Sequence, residues 1–247
     1  MATPESLVLI GLTFLLAGFV KGVIGLGLPT VSLALLAAGF GLIPAMGLMI
    51  VPSFVTNIWQ AFQGGAVREL ARRLWPMMAA VVAGIWFGGN ILVAGDTELL
   101  TGLLGVLLSV YSVIGLTRYQ IPAPGRAEVW LSPVVGGASG ILTGLTGTFV
   151  VPGVLYLQSI GLDRHALIQA MGMLFSVSTL ALAVVLGHHK LISMELGVYS
   201  LGGVLPALAG MVIGQKVRSR LSENTFSRVF FSSLLILGVY IAGRALL

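Results

Sequence analysis

Lys21 sits in Gly18-Phe-Val-Lys-Gly-Val-Ile-Gly-Leu-Gly-Leu-Pro-Thr30, flanked by two uncharged apolar runs. An ammonium group in such a setting is expensive and marks a functional site by default. Gly22, Gly25, Gly27 and Pro29 predict an interruption of the helix here. Broken helix ends and glycine-rich turns offer unpaired N–H groups that receive anions. A second stretch, Gly136–Thr148, carries Ser139, Thr143, Thr146 and Thr148, hydroxyls that can replace water around an oxyanion. Between them, Ser53, Thr56, Asn57 and Gln60 fall on about one helical face, and Asn57 is the best ligand of that set. The expected substrate site therefore comprises Lys21, Gly22, Gly25, Gly27, Thr30, Asn57, Ser139, Thr143, Thr146 and Thr148, and the expected ligand is a small anion. The plainer alternatives are a snorkelling lysine, glycines that ease packing, and hydroxyls that bond between helices.

Other chemistries find little support. The acidic residues Glu5, Glu69, Asp96, Glu98, Glu128, Asp163, Glu195 and Glu223 all fall in loops or at span ends. A proton or cation site built on a buried carboxylate has no candidate, so any coupling would need carbonyls, hydroxyls, Lys21, a loop acid or the substrate's own proton. His165, His188 and His189 lie before a span or in a loop, without the spacing of a catalytic metal site. There is no cysteine. No catalytic set, metal or cofactor is expected, and the protein is not expected to be an enzyme.

The elements that position these residues are membrane spans. The chain has 247 residues, 57% of them hydrophobic and 9% charged, with a mean hydropathy of +1.05. Soluble domains carry about 25% charged residues. Spans of about 20 apolar residues are predicted at Ile43–Phe62, Leu74–Val93, Leu99–Leu116, Leu167–Leu186, Leu196–Gly214 and Phe226–Leu246. Ser6–Phe40 and Trp130–Ile160 are longer and interrupted, and read as hairpins with arms of about 13 residues, each reaching about 20 Å. A broken, tilted crossing is the alternative. The N-terminus lacks the basic start of a cleaved signal peptide.

The second half echoes the first. Ala45-Met46-Gly47 returns as Ala170-Met171-Gly172, and Ser53 and Glu98 align with Ser178 and Glu223. Two hairpins place Arg68, Arg72, Arg73, Arg118, Arg126, Arg164, Lys216, Arg218, Arg220 and Arg228 on one side. Only Lys190 and Arg244 fall on the other, as the positive-inside rule prefers. The expected fold is an all-α polytopic membrane protein of eight segments: two inverted repeats, each a re-entrant hairpin plus three spans. Residues 1–117 form the first repeat, 118–128 a cytoplasmic linker and 129–247 the second repeat. The hairpin tips are expected to meet near the midplane.

At these broken segments and Ala-Met-Gly repeats, the chain resembles the sulfite exporter TauE/SafE family of membrane permeases. The resemblance is carried by Gly18–Thr30, Ala45–Asn57, Gly136–Pro152 and Gln169–Gly172. It implies transport of sulfite, sulfonates such as sulfoacetate, or related organic anions across a bacterial inner membrane. The expected activity is secondary export by alternating access, with an anion channel using the same site as the alternative. Expected partners are the anionic substrate and the lipid bilayer, not nucleic acid; a homo-oligomer is compatible with the sequence.

Overall fold

A computed structural model describes residues 3–117, 119 and 121–246; Arg118 lies outside the described residues. Among the described residues the chain is helical, without strands. Its α-helices, in chain order, are α1 (Pro4–Ile24), α2 (Leu28–Phe40), α3 (Leu42–Phe62), α4 (Val67–Ala94), α5 (Thr97–Thr117), α6 (Glu128–Thr146), α7 (Gly153–Ser159), α8 (Arg164–His188), α9 (Met194–Gly202), α10 (Val204–Val217) and α11 (Glu223–Leu246). Eight segments are long and apolar enough to cross a membrane, α9 and α10 counting as one. Of the six uninterrupted spans expected from hydropathy, five are single helices, and the sixth, Leu196–Gly214, is divided at Gly203 into α9 and α10.

Contacts fix how the helices run. Arg73, near the start of α4, forms an ion pair with Glu128 at the start of α6, and its guanidinium also donates to the Ile160 carbonyl (2.8 Å). The end of α3 meets the start of α8, where Gln60 donates to the Ile168 carbonyl (2.7 Å) and Gln169 to that of Ala61 (2.9 Å). These groups mark one end of the bundle, the linker end. At the opposite end His189 bonds Asn90, and Arg244 donates to the Ala38 carbonyl. The basic residues at the starts of α4, α8 and α11 and the end of α10 gather at the linker end.

Both interrupted segments return to the end they started from, as hairpins should, but their tips are not at mid-depth. α1 spans 21 residues, about 31 Å at the usual rise, rather than the short arm expected. Its tip, Gly25–Gly27, reaches the linker end, where Gln60 donates to the Gly25 carbonyl (2.8 Å). α6 runs the other way, and its tip residue Gly147 packs against Met46 and Met49 near the start of α3. The tips thus contact α3 about 20 Å apart along its axis. The expectation that they converge at the midplane is overturned.

Gly25 and Gly27 turn the chain as expected, but Gly22 and several glycines of the second stretch instead bring helices together. A Cβ on Gly18 or Gly22 of α1 would overlap the carbonyl of Ala207 or Met211 of α10, and one on Gly210 or Gly214 would overlap that of Leu15 or Phe19. Gly84 and Gly88 of α4 stand likewise against α6, as Gly136, Gly140 and Gly144 of α6 stand against α4. Small residues four apart let two backbones touch in a medium that gives no hydrophobic drive. The caps need glycine's backbone freedom: Gly25 (φ 89°) and Gly147 (φ 74°) end α1 and α6 in left-handed conformation, their N–H groups bonding the carbonyls of Lys21 and Thr143. α1 therefore pairs with α10 of the other half as α6 pairs with α4, while α3 packs on α8 and α5 on α11.

Pro52 lies inside α3 and cannot donate to the Leu48 carbonyl. Ser200 of α9 replaces that bond (2.7 Å) and accepts from the Val51 N–H (3.1 Å).

Candidate functional site

Lys21 is not in the break. It occupies the last turn of α1, where a cation complements the negative end of the helix dipole. The residue is 3% exposed. Its Nζ donates to Thr56 Oγ1 (3.1 Å) and to Asn57 Oδ1. Asn57 in turn donates to Thr179 Oγ1 of α8 (3.4 Å). The Thr56 hydroxyl is anchored on the carbonyls of Pro52 and Ser53, and that of Thr179 on Phe175. Thr56, Asn57 and Thr179 are fully buried.

Every acceptor around this ammonium is neutral. Among the described residues no carboxylate lies within ion-pair distance of it. Two of its three hydrogens are engaged, leaving one donor. A buried ion without a counter-charge carries a penalty of several kcal/mol, which an incoming anion would relieve.

A cavity of about 390 Å³ connects the site to the linker end. Lys21, Gly22, Gly25, Gln60, Ile168 and Met211 line it, with Trp59, Gln63, Gly64, His165, Gln215 and Arg218. A neighbouring cavity of about 490 Å³ shares His165, Gln215 and Arg218 and adds Arg164. The approach to Lys21 is thus lined by basic groups, a geometry that concentrates anions.

The expected site residues separate into groups. Lys21, Gly22, Gly25 and Asn57 come together. Gly27 faces Val20 and Phe230 rather than the cavity, and Thr30 sits buried in the first turn of α2, outside its lining. Ser139, Thr143, Thr146 and Thr148 belong to α6 and its tip, toward the opposite end, and do not join Lys21. Nor do the Gly22–Gly25 amides form an anion nest, since α1 continues to Ile24 and the Gly25 N–H caps it. The residues missed by sequence reasoning are Arg218 and His165. Arg218 lies one helical turn beyond Gly214, which with Gly210 docks α10 onto α1.

A bundle of apolar helices around a buried, cavity-facing lysine defines a polytopic membrane protein with an internal polar site. The chain belongs to the sulfite exporter TauE/SafE family, whose model matches residues 10–241. Comparison with curated proteins and with solved structures gave no match.

Proposed function

We propose that the protein is a secondary carrier that exports a small sulfur oxyanion or sulfonate, such as sulfite or sulfoacetate, across a bacterial inner membrane. The observation that carries this reading is the Lys21 ammonium, buried among neutral acceptors at the inner reach of a basic cavity. The anion takes the remaining Nζ hydrogen and supplies the missing counter-charge, while Thr56 and Asn57 hold the ammonium in place for it. The linker end is cytoplasmic, as its basic residues favour, so the cavity is the entry of an inward-open state. Residues 1–117 and 129–247 act as inverted repeats that rock against each other to alternate access. The exchanged pairing of α1 with α10 and α6 with α4 supports this two-fold arrangement.

The test is anion binding and exchange with purified protein. Sulfite, sulfoacetate, sulfate, taurine and short carboxylates are screened on the wild type and on Lys21→Ala. Loss of a charge-assisted hydrogen bond is worth about 2–3 kcal/mol, an affinity drop of about 30–150-fold. A folded Lys21→Ala protein with unchanged affinity would remove the central residue. In proteoliposomes a carrier shows saturable exchange; flux without saturation or counterflow points to a channel.

A further inference from the structure

The geometry points to a binding site for an anionic phospholipid on the face of α1 that looks toward α10 and α11, with the phosphate at the linker end and the acyl chains laid along α1. The cavity of about 490 Å³ at that end is lined by Arg164 at the start of α8, by His165, and by Arg218 just past the end of α10. No carboxylate is among the described residues that line it. Its remaining wall includes Ile24 of α1 and Phe226 of α11, so the basic groups stand beside apolar surface. All three basic residues lie at span ends, the level of lipid headgroups. Basic pockets between transmembrane helices bind anionic headgroups in this way.

Phe226 also lines an apolar groove of about 460 Å³ between α1, α2 and α11 that extends to Tyr240. From Phe226 to Tyr240 the helix rises about 21 Å, more than the roughly 15 Å of hydrocarbon in one leaflet. Phe230 and Leu234 are buried in the groove, whereas Val229 and Ile236 stand exposed along it. The groove exists because α11 packs chiefly on α5, leaving its approach to α1 open. A second apolar hollow, of about 440 Å³ between α1 and α10, shares Leu16 and Phe19 with the first. One basic cavity and two apolar troughs meeting at Leu16 and Phe19 match one phosphate and two acyl chains. The basic end is what selects this occupant. Bulk lipid tails bring no charge to it, and the linker end of a second copy of the chain is itself predominantly basic. His165 and Arg218 also line the cavity that leads to Lys21, so the headgroup sits at the rim of that opening.

The experiment uses the full chain, purified and delipidated in neutral detergent, titrated with dioleoyl phosphatidylglycerol or dioleoyl phosphatidylcholine and read by native mass spectrometry. Phosphatidylglycerol is expected to bind about tenfold more tightly than phosphatidylcholine. Arg218→Gln is expected to weaken phosphatidylglycerol about fivefold and to leave phosphatidylcholine unchanged. Ser233→Phe, which fills the apolar groove from an exposed position, is expected to weaken both lipids. Inorganic phosphate at the same concentration is expected not to displace phosphatidylglycerol. Equal affinity for the two lipids overturns the basic seat, and so does an unchanged phosphatidylglycerol affinity in Arg218→Gln. Displacement by phosphate alone, or unchanged binding in Ser233→Phe, overturns the lipid as occupant. Should one variant fail to fold, the other and the phosphate competition still decide the matter. The titration contains no sulfur anion and leaves Lys21 intact, so its failure is separate from failure of the transport reading.

Discussion

Asn57→Asp puts the central charge argument to its hardest test. The substitution preserves the size and shape of the side chain. It places a carboxylate where the amide oxygen now accepts from Lys21. Opposite unit charges about 3 Å apart attract by about 5 kcal/mol at an effective dielectric of about 20. Desolvating the new carboxylate offsets part of this. If about half survives, an anion must displace an internal counter-ion worth about 2.8 kcal/mol, a roughly 100-fold loss of affinity. Folding stability should hold or rise, since the buried ammonium gains a partner. The assay is calorimetric anion binding with thermal unfolding on the same preparation. Asn57→Leu is the control: it removes the polar contacts without adding charge and should lower stability. A stable Asn57→Asp protein that binds anions like the wild type would refute the assignment of Lys21 as the ligand's counter-charge.

Gly22→Ala should destabilise by about 1–3 kcal/mol, because the added methyl must push α1 off the Met211 carbonyl. Gly11→Ala, with nothing within 4 Å of its Cβ position, should instead be neutral or stabilising by up to about 1 kcal/mol; thermal unfolding in detergent compares the two. Ser200→Ala should cost about 1–3 kcal/mol by leaving the Leu48 carbonyl and Val51 N–H of α3 without their partner, read in the same assay. Arg218→Gln should lower the anion association rate several-fold at low salt, with the difference from wild type shrinking as salt rises; stopped-flow binding across ionic strengths measures it. The Asp163 carboxyl caps α8, and hydrogen bonds from the Ala166 and His165 N–H groups hold its pKa below the usual aspartate value. A depressed pKa adds stability above the unfolded value that is lost as pH falls through the folded one. Asp163→Asn should therefore flatten the acid limb of the unfolding midpoint against pH.

The spans were legible because twenty apolar residues in a row have few alternatives to a membrane helix. The hairpin tips were not. Gly18, Gly22, Gly25 and Gly27 look alike on paper, yet two of them dock α1 against α10 and two turn the chain. The spacing of four was the available signal: Gly210 and Gly214 answer Gly18 and Gly22, and Gly84 and Gly88 answer the α6 glycines. Read as packing faces, these would have extended α1 to Gly25 and placed its tip at the far end. Lys21 and Asn57 were legible because polar groups inside apolar runs are costly. Arg218 and His165 were not, because a charge at a span end is ordinary until a fold aims it at a cavity.

The two halves share an α-helix ended by a left-handed glycine, a close glycine-mediated partner and a tip gripping the central α3 and α8 pair. They differ in what precedes the cap. Lys21 has Thr56 and Asn57 before it, whereas the matching face of α8, at the offset that pairs Ser53 with Ser178, carries Ala181 and Leu182. An ammonium transferred to position 143 would have the Thr148 carbonyl nearby but no pair of side-chain acceptors on α8 like Thr56 and Asn57. Thr143→Lys should therefore misfold or lose stability, while a buried lysine is accommodated at position 21. Under the proposed transport reading the anion's counter-charge is lodged in one half, and the other half contributes Thr179, the far wall of the Asn57 contact. If Thr143→Lys instead folded with wild-type stability, the polar set around Lys21 would not be what makes its burial tolerable, and the asymmetry of the site would need another cause.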